Sequence, residues 1–215
     1  MTPPPPLHQN RVWPLSRLNS SNWRRRLQRL LEGGGLVVYP TDTLYGMGGD
    51  FRNLDLHRRI GCIKARAHKS YSVAVWDMHA LTELSSALPS WLGRNAGRVF
   101  PGPYTMILPA NPGLNRNLLH GADTIGLRIP AHPFPRKALA EIRIPLISTS
   151  VNRSGSPPLS DPAEILGQFP EIDLLIDAGR LPPSRGSSIL DLTVSPPRIL
   201  RRGEGLELLR DLGIT

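Results

Sequence analysis

Short β-prone runs recur along this chain, and segments with apolar residues at helical spacing lie between them. Residues 36–39, 72–76, 104–108, 124–129, 146–149, 174–177, 188–192 and 198–201 read as strands. Residues 78–86, 90–99 and 133–142 read as helices. Trp23, Leu27, Leu30 and Leu31 share one face of an earlier helix, which Ser20 or Ser21 can cap and the glycines at 33–35 end. Asn53 caps another, with Leu56, Ile60 and Ile63 on its apolar face, and that helix delivers Lys64 and Arg66 at its C-terminal end. Residues 40–49 between these two helices read as a polar loop, and residues 150–162 as a long Ser/Pro/Gly loop. Alternation early and clustered strands late predict an α/β protein with a mixed sheet.

Other features bound the class. The chain has 215 residues and no internal linker, so one domain over 18–215 is the economical division, preceded by a basic, Pro-rich, flexible tail over 1–17. No apolar run approaches the roughly 20 residues that span a bilayer. Cys62 is the sole cysteine, so there is no disulfide framework and no Cys/His zinc cluster, which fits a reducing, cytoplasmic setting. The net charge is +9, and residues 1–31 hold six arginines and no acid. Such a start is either a solvated tail or an organelle transit peptide; prolines 3–6 would break the amphipathic helix a transit peptide needs, which favours the tail. Either way the segment can assist binding to a polyanion.

Several catalytic signatures are missing: the P-loop, H-E-x-x-H, G-x-S-x-G and the dinucleotide fingerprint. What remains is polar clusters just after apolar strands, where α/β folds place ligands. Thr41-Asp42-Thr43-Leu44-Tyr45-Gly46 offers hydroxyls and close backbone approach, or merely a capped turn. Lys64, Arg66 and Lys69 put three cations in six residues; with 23 arginines and three lysines in the chain, two neighbouring lysines hint at a need for compact ammonium groups. A solvated helix end is the plain alternative. Ser148-Thr149-Ser150-Val151-Asn152-Arg153-Ser154-Gly155 can hold phosphate oxygens or form a surface turn. Gly186-Ser187-Ser188 followed by Arg198 to Gly203 completes the set. Together they propose a basic pocket with hydroxyl donors and no protein metal ligands, suited to a nucleotide whose Mg²⁺ is held mainly by phosphates.

These clusters, with Pro101-Gly102-Pro103-Tyr104-Thr105, Leu127-Arg128-Ile129-Pro130, Ser187-Ser188-Ile189-Leu190-Asp191 and Ile199-Leu200-Arg201-Arg202-Gly203, occur in order and resemble the YrdC-like threonylcarbamoyl-AMP synthases in their short, single-domain form. The resemblance spans nearly all of residues 18–205. It implies a twisted mixed sheet flanked by helices around a concave basic cavity. It also implies a nucleotidyl transfer in which L-threonine, bicarbonate and ATP give threonylcarbamoyl-adenylate and pyrophosphate. The adenylate then serves N6-threonylcarbamoyladenosine formation at position 37 of tRNA, bound directly or through a downstream transferase complex.

Carried over residue by residue, the resemblance makes Lys64 and Arg66 the catalytic cations, neutralising ATP phosphates as pyrophosphate leaves. Ser148, Ser150, Asn152 and Arg201 join them in binding ATP. Thr41, Tyr45, Arg128 and Ser187 surround threonine and its carbamate, with Arg128 suited to a bidentate carboxylate contact. Ala67 and Lys69-Ser70-Tyr71 stand where the family has proline and K-P-L, Val151 replaces the alanine of S-A-N, and Ser188 the threonine of S-T. The charges and hydroxyls survive, whereas the rigid prolines do not. A carbamoyl-adenylate-forming relative and a non-catalytic RNA-binding paralogue remain as alternatives, the latter weakened by an aromatic content of 6%.

Overall fold

A computed structural model describes residues 11–20, 22–65 and 71–214 of the chain. In chain order its elements are β1 (Val12–Pro14), a 3-10 turn (Leu15–Asn19), α1 (Trp23–Glu32), β2 (Val37–Pro40), β3 (Tyr45–Gly48) and α2 (Leu54–Ile63). Then come β4 (Ser72–Ala74), α3 (Met78–Leu84), α4 (Ser90–Val99), β5 (Tyr104–Pro109), a 3-10 turn (Arg116–Leu119) and β6 (Thr124–Arg128). The last third holds α5 (Pro133–Ile142), β7 (Leu146–Ser150), α6 (Pro162–Gln168), β8 (Leu174–Asp177), β9 (Ser188–Asp191), β10 (Arg198–Arg201) and α7 (Leu206–Asp211).

The strands form one mixed sheet in the order β1-β8-β2-β3-β7-β4-β6-β5-β9-β10. Side chains alternate across a strand, so consecutive residues serve opposite faces. In β2, Val38 joins a core with α2, α3, α4, α6 and α7, whereas Val37 and Tyr39 join a second core with α1 and α5. Ile147 and Leu146 of β7 divide the same way, as do Val73 and Ala74 of β4. On α1 the residues Trp23, Leu27 and Leu31 are buried, four apart along one stripe, and Phe134, Ala138, Leu139 and Ile142 of α5 face them. Each such large side chain removed from water contributes about 1.5–3 kcal/mol.

Asymmetry between the two faces creates the site. The first core continues under β5, β6 and β9 through Met106, Leu108, Ile125, Leu127 and Leu190. The second stops at β4 and β7, because α1 and α5 cover only one half of their face. Beyond them the sheet lies open, and the residues at alternate positions there are Thr105 and Ile107, Gly126 and Arg128, Ser187 and Ile189.

Most elements fall where the sequence places them, with four corrections. Asn22, not Ser20, occupies the α1 N-cap, without a side-chain hydrogen bond; Ser21 lies outside the described residues. Residues 45–48, read as loop, pair with both β2 and β7, since glycines at 46 and 48 let β3 pack between them. α6 starts on Pro162, read as the end of a loop, and continues over residues that carried no assignment, as does α7; Asp161 caps α6 by accepting from the amides of Ala163 and Glu164. Finally, Val12–Pro14 is no tail: it pairs in parallel with β8, Trp13 is 4% exposed in the second core, and Arg11 donates to the carbonyls of Pro170 and Ile172. Residues 1–10 of that tail lie outside the described residues. Among the described residues no helix is long and apolar enough to cross a membrane.

Candidate functional site

The uncovered half-face forms a cavity of about 260 Å³. Its floor is set by register. Ser72 stands beside Gly126 on one side and Ser148 on the other, and Ile107 faces Gly126 across β5–β6. Gly126 contributes no side chain at the centre, which leaves the depression between its neighbours. The rim is rich in hydroxyls: Thr41, Thr43, Ser148, Thr149, Ser150, Thr105, Thr124 and Ser187; among the described residues Arg128 and Arg201 are its cations and no carboxylate lines it.

Of the sequence-predicted residues, Thr41, Tyr45, Arg128, Ser148, Ser150, Ser187 and Arg201 line this cavity together. Thr41 is organised by its own turn: Oγ1 donates to the Leu44 carbonyl at 2.7 Å and accepts from the amides of Thr43 and Leu44. Tyr45 borders the cavity, but its ring belongs to the opposite core. Its hydroxyl donates to the Gly179 carbonyl at 2.8 Å and accepts from the Ala178 amide, so it ties β3 to the loop after β8. Burial raises the Tyr45 pKa above its ordinary 10.0, and the hydroxyl stays protonated and structural.

Arg128 Nη2 donates to Asp42 Oδ1 at 2.6 Å. Arg201 donates through Nε and Nη2 to the Ser187 carbonyl, and through Nη2 to Ser187 Oγ at 2.9 Å. Ser187 Oγ also meets Thr105 Oγ1 at 3.0 Å. Burial lowers the Arg201 pKa first, and the positive charge of Arg128 adds to the effect. A guanidinium standing in the field of a second positive charge is better accommodated when an anion lies beside it.

Lys64 and Asn152 are brought together with Ser150, below the rim. The Lys64 ammonium, in a side chain 2% exposed, donates to the carbonyls of Ser150 and Asn152 and to Asn152 Oδ1 at 2.6, 2.9 and 2.9 Å. Ser150 Oγ donates to the same Oδ1 at 2.7 Å, and the Lys64 carbonyl accepts from the Ser154 amide. Lysine, serine and asparagine thus shape the loop that follows β7. Arg66 and Lys69 lie outside the described residues.

Sequence reasoning gave no role to Asp42, Thr105, Ser72 or Gly126. Asp42 stands inside a quoted motif and is the natural counter-ion for Arg128, yet 86 residues separate them and only the sheet reveals the pairing. The i, i+2 pattern of Thr105 with Ile107 and Gly126 with Arg128 was the available signal for the others.

A half-covered sheet whose bare part carries hydroxyls around a buried guanidinium, Arg128, and a more exposed one, Arg201, defines an α/β protein with a polar depression on one face of its sheet. The chain belongs to the Sua5/YciO/YrdC family, whose model, described as "Telomere recombination", matches residues 29–203. It is 31% identical over 189 residues to the threonylcarbamoyl-AMP synthase of Pyrococcus abyssi, covering 86% of this chain and 55% of that protein. It is 33% identical over 192 residues to the threonylcarbamoyl-AMP synthase of Chromobacterium violaceum, covering 87% of this chain and 97% of that one. Among solved structures, P. abyssi Sua5 complexed with L-threonine superposes with a TM-score of 0.81 at 29% identity, covering 89% of this chain and 58% of that chain. The chain thus spans little more than half the length of the archaeal relative and nearly all of the bacterial one.

Proposed function

We propose that this chain is an L-threonylcarbamoyladenylate synthase. The observation that carries the reading is the pairing of Arg128 and Arg201 with a hydroxyl rim in which no carboxylate stands among the described residues. That lining suits a substrate with one carboxylate and several phosphate oxygens. The names of the Pyrococcus and Chromobacterium relatives, and the L-threonine in the Pyrococcus structure, support the choice of substrate.

In this reading the threonine amine and bicarbonate condense to a carbamate with loss of water. A carbamate oxygen attacks the α-phosphorus of ATP, the bond to the β-phosphate oxygen breaks, and pyrophosphate leaves. Arg128, held by Asp42, with Thr41 and Ser187 receives the threonine carboxylate and the carbamate. Ser148, Ser150, Asn152 and Arg201 receive the nucleotide. Lys64 holds the 150–152 loop in shape and supplies positive charge beneath it, and Arg66 enters on the K-x-R resemblance. No side chain need act as general base, so positioning and electrostatic stabilisation supply most of the rate.

Magnesium fits this donor set as a companion of ATP: rim hydroxyls can fill one or two positions around an ion held otherwise by phosphates and water. It would neutralise phosphate charge. The product is an activated carbamate for tRNA modification, and ATP, bicarbonate and tRNA agree with a cytoplasmic setting.

The test is pyrophosphate release by the purified chain with ATP, Mg²⁺ and bicarbonate. Release that depends on L-threonine and fails with L-serine at equal concentration supports the proposal; release indifferent to threonine overturns it.

A further inference from the structure

The outer surface of α1 and α5 carries cations that the cavity does not use. Arg24, Arg25 and Arg29 are exposed on α1, and none makes an ion pair among the described residues. Elsewhere Arg52, Arg58, Arg59, Arg116, Arg180 and Arg198 each meet a carboxylate. Arg24 and Arg25 share a groove with Lys137 of α5, whose ammonium is fixed by the Leu18 carbonyl at 2.9 Å and stands 5.6 Å above the Trp23 ring. Arg17 and Arg26 flank the Trp13 ring at 5.0 and 5.4 Å. Glu141 is the one acid in the groove. Arg25 and Arg29 are a turn apart, about 6 Å along the axis.

This surface lies on the cavity side of the sheet, since α1 and α5 cover the half of the face next to it. α5 begins close to the cavity: its N-cap, His132, follows by four residues Arg128, which ends β6 and lines the cavity. The α1–α5 surface therefore adjoins the place where product would form.

We propose that the exposed face of α1 and α5 is a docking surface for the phosphate backbone of RNA. Arginine predominates, and its planar fork matches phosphate oxygens in pairs. A bilayer is the poorer partner because the apolar stripe of α1, Trp23, Leu27 and Leu31, is consumed by α5 and cannot insert. The choice of RNA rests on the synthase reading, whose product is destined for tRNA.

The experiment uses the full chain, an unmodified tRNA transcript and mixed phosphatidylserine–phosphatidylcholine vesicles. An R24Q/R25Q/R29Q variant is compared with R58Q/R94Q/R98Q, which removes equal charge from α2 and α4 on the opposite face. The full chain binds the transcript with an affinity that falls with salt. The α1 variant binds about tenfold or more weakly, with a log–log salt slope shallower by about two to three, while the control stays near wild type. Equal loss in both variants, unchanged tRNA binding by the α1 variant, or a loss confined to vesicles overturns the proposal. Threonine-dependent pyrophosphate release stays unchanged in the α1 variant. If wild type lacks that release yet binds tRNA through α1, the synthase reading fails and the docking surface stands.

Discussion

Asp42 and Arg128 meet at 2.6 Å with side chains only 12% and 7% exposed, joining the β2–β3 turn to the end of β6. The pair is incompletely satisfied: Asp42 Oδ2 and Arg128 Nε have no partner among the described residues. A buried pair of this kind is worth little in itself, but removing one member leaves the other charge uncompensated.

Asp42→Asn should therefore cost about 3 kcal/mol in urea unfolding, and an Asp42→Asn/Arg128→Met double variant should lose less than the two single losses added. Strict additivity in that cycle would show that the contact carries no coupling. In the threonine-dependent assay, D42N should raise the KM for threonine more than that for ATP, because Arg128 rather than Arg201 loses its anchor.

Lys64→Met tests the clamp beneath the rim. Three hydrogen bonds from a buried ammonium hold residues 150 and 152, and bonds to charged groups contribute about 1.5–3 kcal/mol each when lost. Expected are a lower thermal midpoint and faster amide exchange around residues 150–154, together with loss of pyrophosphate release. Loss of turnover with unaltered exchange would assign Lys64 to the substrate alone.

Much of this was legible beforehand. Helix α5 is readable to its ends because Pro133 starts it and its apolar spacing is regular, and Lys64 and the Ser150/Asn152 loop stand out as two separate polar clusters, which only the fold joins. What escaped notice depends on pairing across the sheet. Residues 45–48 look like a loop because two glycines replace β-prone side chains, yet those glycines are what the crowded β3–β7 contact demands. Val12–Pro14 is too short for a periodic pattern and is a strand only because β8 lies alongside it. The polar cluster around Thr41 resolves into both readings at once: Thr41 caps its own turn and also lines the cavity.

His57 sets a pH dependence. It is buried among Phe51, Tyr71 and His120, and Nε2 engages the Phe51 carbonyl at 2.7 Å. A carbonyl only accepts, so Nε2 carries the proton in the neutral ring and Nδ1, buried without a hydrogen-bond partner among the described residues, would receive the next one. Burial lowers the His57 pKa below 6.5, the Phe51 carbonyl opposes that shift, and His120 adds to it. The unfolded chain then binds the proton more readily, so stability is complete above about pH 6.5 and falls as pH drops toward the folded-state value. Midpoints measured between about pH 7.5 and 5.5 should decline, and His57→Gln should flatten the decline. An unchanged slope in H57Q would place the titration elsewhere.

Trp13 decides what the first residues do. Its ring is buried against α1 and β8, flanked by two arginines, so Trp13→Ala should cost about 3–5 kcal/mol. Deleting residues 1–17 should destabilise the protein by at least as much, whereas a dispensable tail predicts no change. Thermal melts of the two variants separate these outcomes.

Gly48 gives the sharpest steric test. A Cβ built there would lie 1.7 Å from the Ile147 carbonyl oxygen, which also accepts from the Tyr39 hydroxyl at 3.1 Å. The Ile147 carbonyl is held in β7 by the sheet, so Gly48→Ala must push β3 away from β7 and displace Ser148 and Ser150 from the rim. A loss above about 4 kcal/mol, or failure to fold, is expected. Gly97 provides the contrast: it lies exposed in α4 with nothing within 4 Å of its added Cβ, and Gly97→Ala should stabilise by about 0.5–1 kcal/mol through helix propensity. If G48A melted at the wild-type temperature, the close packing of β3 on β7 that supports the hydroxyl rim would be wrong.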